Sequence, residues 1–207
     1  MKTKIQPLIL HDNAPNNIII SGAGLAGLCT SLGLAKLGYH IDIVECRKEW
    51  LQQGSAFGLA ANGRKALLQL FHNPSSLDAL IAKGIYIASH DSYLLVWYMI
   101  RDALLVEVEQ CSLITVHMGK TVESYDDSSD ASCIQVVMKD VENDTDMRIL
   151  KGSLLIAADG VYSNIRQLAG LDPAKFATKT KWRGTIPHTY LMVQYWSNFS
   201  IKEPPHL

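Results

Sequence analysis

Three isoleucines in a row, Ile18 to Ile20, lie inside the stretch Asn17–Ser21, and a continuous β-branched run of this kind predicts a strand buried on both faces of a parallel sheet. The glycine-rich turn Gly22 to Gly27 comes next. From Leu25 to Leu37 the apolar residues Leu28, Leu32 and Ala35 recur at helical spacing, and Gly38 predicts the stop. Ile41, Ile43 and Val44 make His40–Glu45 a second strand. Strand, helix and strand in this order predict a right-handed βαβ unit of the doubly wound type.

Farther along, Phe57–Ala60 reads as a short extended segment and Asn62–Leu70 as a helix capped by Asn62. The apolar run Tyr93–Ile100 predicts a strand and Arg101–Glu109 a helix. Ser112–Met118 and Cys133–Lys139 have strand character and are separated by a polar stretch, Asp126–Asp130, read as a solvated turn. A second acidic turn, Asp140–Asp146, predicts that 133–139 pairs with 147–151 as a hairpin. Leu154–Ala157 is again continuously apolar and suits a strand returning to the parallel sheet, with a short helix over Tyr162–Leu168.

Composition narrows the function more than the fold. With 207 residues and 48% hydrophobic content the chain can bury a proper core. A net charge of −1 provides no field to steer it toward nucleic acid or anionic lipid, so no nucleic-acid partner is expected. Cys29, Cys46, Cys111 and Cys133 form no CxxC pair and no histidine stands at metal-ligand spacing from them, which argues against zinc and for a reducing, cytoplasmic setting. Residues 1–16 read as a disordered leader, too polar for a secretory signal. The longest apolar run is eight residues, so no transmembrane segment is expected.

The strongest chemical signal is Gly22-Ala23-Gly24-Leu25-Ala26-Gly27, with a strand before it, a helix after it and an acidic residue, Glu45, ending the next strand. Gly22 permits the tight turn, Gly24 lets backbone approach a pyrophosphate, and Gly27 lets helix and strand pack closely. The pyrophosphate would lie on the helix N-terminus, where free N–H groups and the helix dipole favour negative charge. Glu45, 23 residues beyond Gly22, is placed to accept hydrogen bonds from an adenosine ribose. This fingerprint alone leaves NAD and FAD both open.

A second segment separates them. Leu154-Leu155-Ile156-Ala157-Ala158-Asp159-Gly160-Val161-Tyr162-Ser163-Asn164-Ile165-Arg166 resembles the GADGxxSxxR segment of the para-hydroxybenzoate hydroxylase family, the single-component FAD monooxygenases that include salicylate hydroxylases and zeaxanthin epoxidases; Ala157 stands where that family usually has glycine. The resemblance implies that Asp159, Gly160 and Arg166 help bind FAD and handle the nicotinamide nucleotide. Leu59 to Leu67, which carries Asn62, Gly63 and Arg64, is similar to a further segment of the family. So is Met99 to Leu104, whose Arg101 matches an arginine at the FAD site, and Arg47 matches a basic residue frequent beyond the ribose acid. From the residues alone, Asp159-Gly160 is also a good turn, and Arg47, Arg64, Arg101 and Arg166 could each be solvated surface charges.

The resemblance implies an α/β fold: a doubly wound, mostly parallel, Rossmann-like FAD/NAD(P)-binding sheet over 17–170, with a β-hairpin insertion and a shortened substrate-side insertion near 71–100. Residues 171–207 would be an incomplete substrate-domain segment and tail, beginning near Trp182-Arg183-Gly184. It further implies an FAD-dependent monooxygenase in which NAD(P)H is the reductant, molecular oxygen the oxidant and an aromatic or alkene-containing small molecule the substrate. The cofactor supplies the chemistry, so no catalytic side chain is named. Only 36 residues, 65–100, lie between Arg64 and Arg101, and the family's later GDAAH segment has no counterpart here, which reads as C-terminal truncation with reduced or no activity. Two other readings stay open: a plain NAD(P)-dependent dehydrogenase or reductase, and an inactive nucleotide-binding remnant.

Overall fold

The isoleucine run forms the middle of the molecule because both of its faces are covered. In the computed structural model, which describes residues 16–52, 54–127 and 133–175, β1 (Asn17–Ser21) lies between β10 (Leu154–Ala157) and β2 (His40–Glu45), and β2 pairs in turn with β6 (Ile114–Met118). All three pairings are parallel, and Ile19 is in register with Leu155 on one side and Asp42 on the other. Ile18 and Ile20 point into a core shared with Ile41, Ile43, Leu28, Leu32 and Leu104, while Ile19 points the opposite way, toward Val44, Val122, Val136 and Met138. Each of these isoleucines is fully buried and contributes about 2 kcal/mol.

Helices and strands cover the two faces. One face carries α1 (Leu25–Ala35) and α4 (Trp97–Glu109), whose contacts are among the most extensive between helices. Over the other lies an antiparallel sheet of β7 (Lys120–Asp126), β8 (Ile134–Asp140) and β9 (Met147–Gly152). The expected pairing of 133–139 with 147–151 is present, from Ile134–Gly152 to Lys139–Met147. β7 is additional, and it takes in Asp126, expected in a turn. Between the two sheets Asn17 and His117 both bond the Asp42 carboxylate, at 2.8 and 2.6 Å.

A third, smaller sheet is built from β3 (Ala56–Ala60), β5 (Ser92–Val96) and β4 (Ile85–Ile87), all antiparallel. α2 (Ala61–Leu70) and α3 (Pro74–Ile81) fill the connection, followed by a 3-10 turn at Ala88–His90. Two sequence expectations are corrected here. The stretch Tyr93–Ile100 is not one strand: β5 ends at Val96 and α4 starts at Trp97, because a continuous apolar run has no periodicity of its own and Ile100 and Leu104, one turn apart, both enter the helical core. Asn62 does not cap α2 either; Ala60 is the N-cap, and the Asn62 side chain accepts from the Gly63 N–H inside the first turn. α5 (Asn164–Leu168) closes the described region. The leader up to Pro15 and the Trp182-Arg183-Gly184 segment lie outside the described residues. Among the described residues no helix is long and apolar enough to cross a membrane.

Candidate functional site

The carboxyl ends of β1, β2 and β10 meet the first turn of α4 at a cleft of about 420 Å³, within the usual size of small-molecule sites. Gly22, Ala23 and Gly24 line it from one side, Glu45, Cys46 and Arg47 from the end of β2, Asp159 and Gly160 from the end of β10, and Trp50, Trp97 and Arg101 from across. Eight of the thirteen sequence-derived candidates therefore share one cleft: Gly22, Ala23, Gly24, Glu45, Arg47, Arg101, Asp159 and Gly160. Leu25, Ala26, Gly27, Arg64 and Arg166 do not line it.

Each glycine of the turn has a distinct reason for being glycine. Gly22 has φ +99°, and a β-carbon there would fall 2.5 Å from the Ala158 carbonyl oxygen. At Gly27 a β-carbon would fall 1.9 Å from the Gly22 carbonyl oxygen, so the helix could not approach the turn. Gly24 is the opposite case, with open space within 4 Å of its β-carbon position. Gly24 is also the N-cap of α1, with no side-chain capping bond and no acidic residue in the first turn. The orphan N–H groups of that turn and the positive end of the helix dipole thus remain available to an anion, with Leu25 and Ala26 contributing backbone and Gly27 close packing.

Glu45 is buried and turned toward this loop. Its Oε2 accepts the Ala23 N–H at 2.8 Å and its Oε1 the Arg47 N–H at 2.9 Å, so the carboxylate braces the glycine turn from the end of β2. A carboxylate has about four lone-pair positions, which leaves Oε2 able to take a further hydroxyl donor. The Cys46 thiol beside it is pushed up from its ordinary value, first by burial and then by the Glu45 charge.

The segment Asp159 to Arg166 is a double cap. Asp159 Oδ2 accepts from the Asn164 and Ile165 N–H groups at 2.8 and 3.1 Å, and Ser163 Oγ accepts from the Arg166 N–H at 2.9 Å. Arg166 Nη1 donates to the Val161 carbonyl at 2.9 Å, outside the cleft. The spacing of aspartate, serine and arginine thereby holds a turn in which Gly160, at φ +83°, faces the cleft.

The two helix arginines part company. Arg101 is 1% exposed; its Nε and Nη2 donate to Asp102 Oδ1, its Nη1 to the Leu51 carbonyl, and its guanidinium lies 5.4 Å from the ring centroids of both Trp50 and Trp97. Arg64 donates instead to the Leu59 and Asp91 carbonyls and to both Asp91 carboxylate oxygens, and it lies over the Tyr93 ring. Trp50 and Trp97 went unnoticed in the sequence. The signal was present, since Trp97 and Arg101 stand four apart, but only a helix begun at 97 puts them on one face.

These residues fit the ADP portion of a dinucleotide: an uncapped helix start, an open β-carbon position at Gly24, a carboxylate at the end of β2 and a buried guanidinium converge on one space. No family model matches the chain. Among curated proteins it is similar to an FAD-dependent monooxygenase of Aspergillus terreus, 24% identical over 211 residues, covering 87% of this chain and 47% of the relative. It is also similar to 3-hydroxybenzoate 6-hydroxylase 1 of Aquipseudomonas alcaligenes, 28% identical over 195 residues (83% and 48%), and to kynurenine 3-monooxygenase of Anopheles gambiae, 26% identical over 180 residues (74% and 35%). Of solved structures, AlpK matches with a TM-score of 0.63 at 16% identity over 80% of this chain and 34% of that one. The flavin-dependent monooxygenase PieE, in complex with FAD and substrate, matches at 0.62, with 16% identity over 76% and 32%. The fold is that of the FAD-binding hydroxylases. By sequence the chain is similar to proteins named as FAD-dependent monooxygenases, and it spans about half the length of the first two curated relatives.

Proposed function

We propose that this chain provides the FAD-binding part of an NAD(P)H-dependent flavin monooxygenase acting on an aromatic or alkene-containing small molecule, with residues 17–170 as the nucleotide-binding domain. The observation that supports this most is the convergence of the glycine turn, Glu45, Arg101 and Asp159 on one cleft at the carboxyl edge of a parallel sheet, where open α/β sheets bind their ligands. A plain nicotinamide-binding unit has no need of the capped Asp159 to Arg166 turn at that position, which favours the flavin reading over a dehydrogenase.

In this reading the α1 N-terminus takes the pyrophosphate, Gly24 lets backbone come close, and Glu45 receives a ribose hydroxyl while bracing the turn. Arg101 offers its uncommitted N–H groups to phosphate, and Arg47 adds positive charge at the ribose end. Asp159 and Arg166 act through the turn they hold, presenting Gly160 to the cofactor. FAD, when bound, supplies electron transfer from NAD(P)H and the activation of oxygen. The test is titration of the purified chain with FAD, followed by flavin absorbance and fluorescence. Saturable binding that ADP displaces is expected. A chain that binds NADH through this cleft and leaves FAD free would instead make it a nicotinamide-dependent reductase.

A further inference from the structure

The wall of the cleft opposite the glycine turn is held by α4. Trp97 and Arg101 stand one turn apart on that helix, and Arg101 contacts Trp50 and Leu51 across about fifty residues of chain. Arg101 Nη1 reaches the Leu51 carbonyl at 2.8 Å, and its guanidinium is flanked by Trp50 and Trp97, each ring centroid 5.4 Å away. The Trp97 N–H donates to the Ser55 carbonyl at 3.2 Å, and Gly54, at φ +120°, lies directly against the Trp97 side chain, where a β-carbon would be 3.0 Å from Cβ. Asp102 holds the guanidinium from the outer side through Nε and Nη2.

A guanidinium has five N–H donors, and three are engaged. The remaining two belong to a group that lines the cleft and is almost fully buried, so an anionic ligand entering the cleft meets the same cation that holds the wall. We infer that Arg101, flanked by Trp97, is a positioning residue that holds Trp50 in the wall of the cleft and Leu51 beside it, so that the hold on this wall and the affinity for an anionic nucleotide are thermodynamically coupled. The inference rests on the dinucleotide reading of the cleft and extends it to two residues of the β2–β3 connection. Coupling is reciprocal: whatever ordering a nucleotide imposes on Trp50 and Leu51, loosening them must weaken that nucleotide by the same factor.

The experiment uses the 207-residue chain, ADP as ligand, calorimetric affinity, and hydrogen exchange of the amides of residues 48–52. In the wild type, ADP slows exchange there. Trp50→Leu speeds exchange without ligand and weakens ADP about tenfold, inside the 5- to 150-fold range usual for such coupling. Trp50→Phe, which keeps an aromatic face for the guanidinium, restores most of both, and unchanged melting curves verify that each variant is folded. Trp50→Leu with faster exchange but wild-type ADP affinity would overturn the coupling, and unchanged exchange in that variant would overturn the hold itself. If ADP binds the wild type and exchange of 48–52 does not move, this inference fails alone. If ADP does not bind the wild type, the dinucleotide reading fails and takes the inference with it.

Discussion

Arg64 and Arg101 occupy nearly equivalent places: each lies in the first turns of a helix that follows a strand, and the two strands, β3 and β5, are hydrogen-bonded neighbours. Each guanidinium also lies over aromatic rings. What separates them is the chain that crosses in front. Before Arg101 runs the β2–β3 connection, which buries it against Trp50 at the edge of the cleft. Facing Arg64 is Asp91, a residue in the left-handed region at φ +41°, which accepts three of the guanidinium's four hydrogen bonds at an outer corner where its own side chain is 58% exposed. The same local sequence context thus produces a cleft wall in one place and a surface tie in the other, and the choice is made by residues 27 to 50 positions away.

The largest expected difference is in stability. Arg101→Met leaves the Leu51 carbonyl without its donor and takes the cation from Asp102, whose side chain is 44% exposed, so the cost is about 2 kcal/mol, that of a buried polar group losing its partner. Urea denaturation should register that loss together with loss of ADP binding; a cost below about 1 kcal/mol would place Arg101 with the surface pairs. Gly24→Val separates binding from folding. Its β-carbon meets nothing within 4 Å, so stability should fall by no more than about 1 kcal/mol, the cost of a poorer N-cap residue, while ADP affinity falls on the order of a hundredfold because the side chain stands where backbone must approach the pyrophosphate. Undiminished ADP affinity in that variant would move the ligand away from the glycine turn.

The same contrast explains what the sequence could disclose. The βαβ unit was legible almost to the residue, since Ile18 to Ile20 are buried on both faces and Gly22 and Gly27 each serve a local steric need. The helix expected to run to Leu37 ends at Ala35, with Gly38 at φ +90° two residues after the cap. α3, β4 and β7 were missed. For α3 a readable signal existed, Asn73 as N-cap with Pro74 in the first turn, whereas β4 has three residues and no pattern to find. The convergence of Glu45, Arg101 and Asp159 followed from motif order, yet the commitment of Arg64 to Asp91 depends on a turn geometry that no spacing announces.

Arg64→Met should therefore have a smaller effect. The pair with Asp91 is doubly bonded but half exposed, so its loss costs at most about 1 kcal/mol, and ADP affinity should be unchanged because the residue does not line the cleft. Calorimetric titration of the variant decides the matter: a several-fold loss of ADP affinity would restore Arg64 to the site.

The smallest effect concerns pH at the same corner. Tyr86 donates its phenol hydrogen to Asp91 Oδ1 at 3.3 Å, and its ionisation is pushed up, first by the negative charge of Asp91, against the opposing charge of Arg64. The folded state therefore holds this proton more tightly than the unfolded chain, whose tyrosines titrate near about 10. Between that value and the raised one the unfolded chain has released its proton and the folded chain has not. Stability contributed by Tyr86 is thus fully present below about pH 10 and is lost as pH rises through the folded value. Ultraviolet titration of wild type minus Tyr86→Phe should show the late phenol. In Asp91→Asn, which tolerates the left-handed backbone and still accepts a hydrogen bond, the titration should return toward the ordinary value, whereas in Arg64→Met it should move higher still. A Tyr86 phenol that titrates like free tyrosine in all three proteins would show that the corner carries no electrostatic coupling, leaving Arg64 and Asp91 tied by geometry alone.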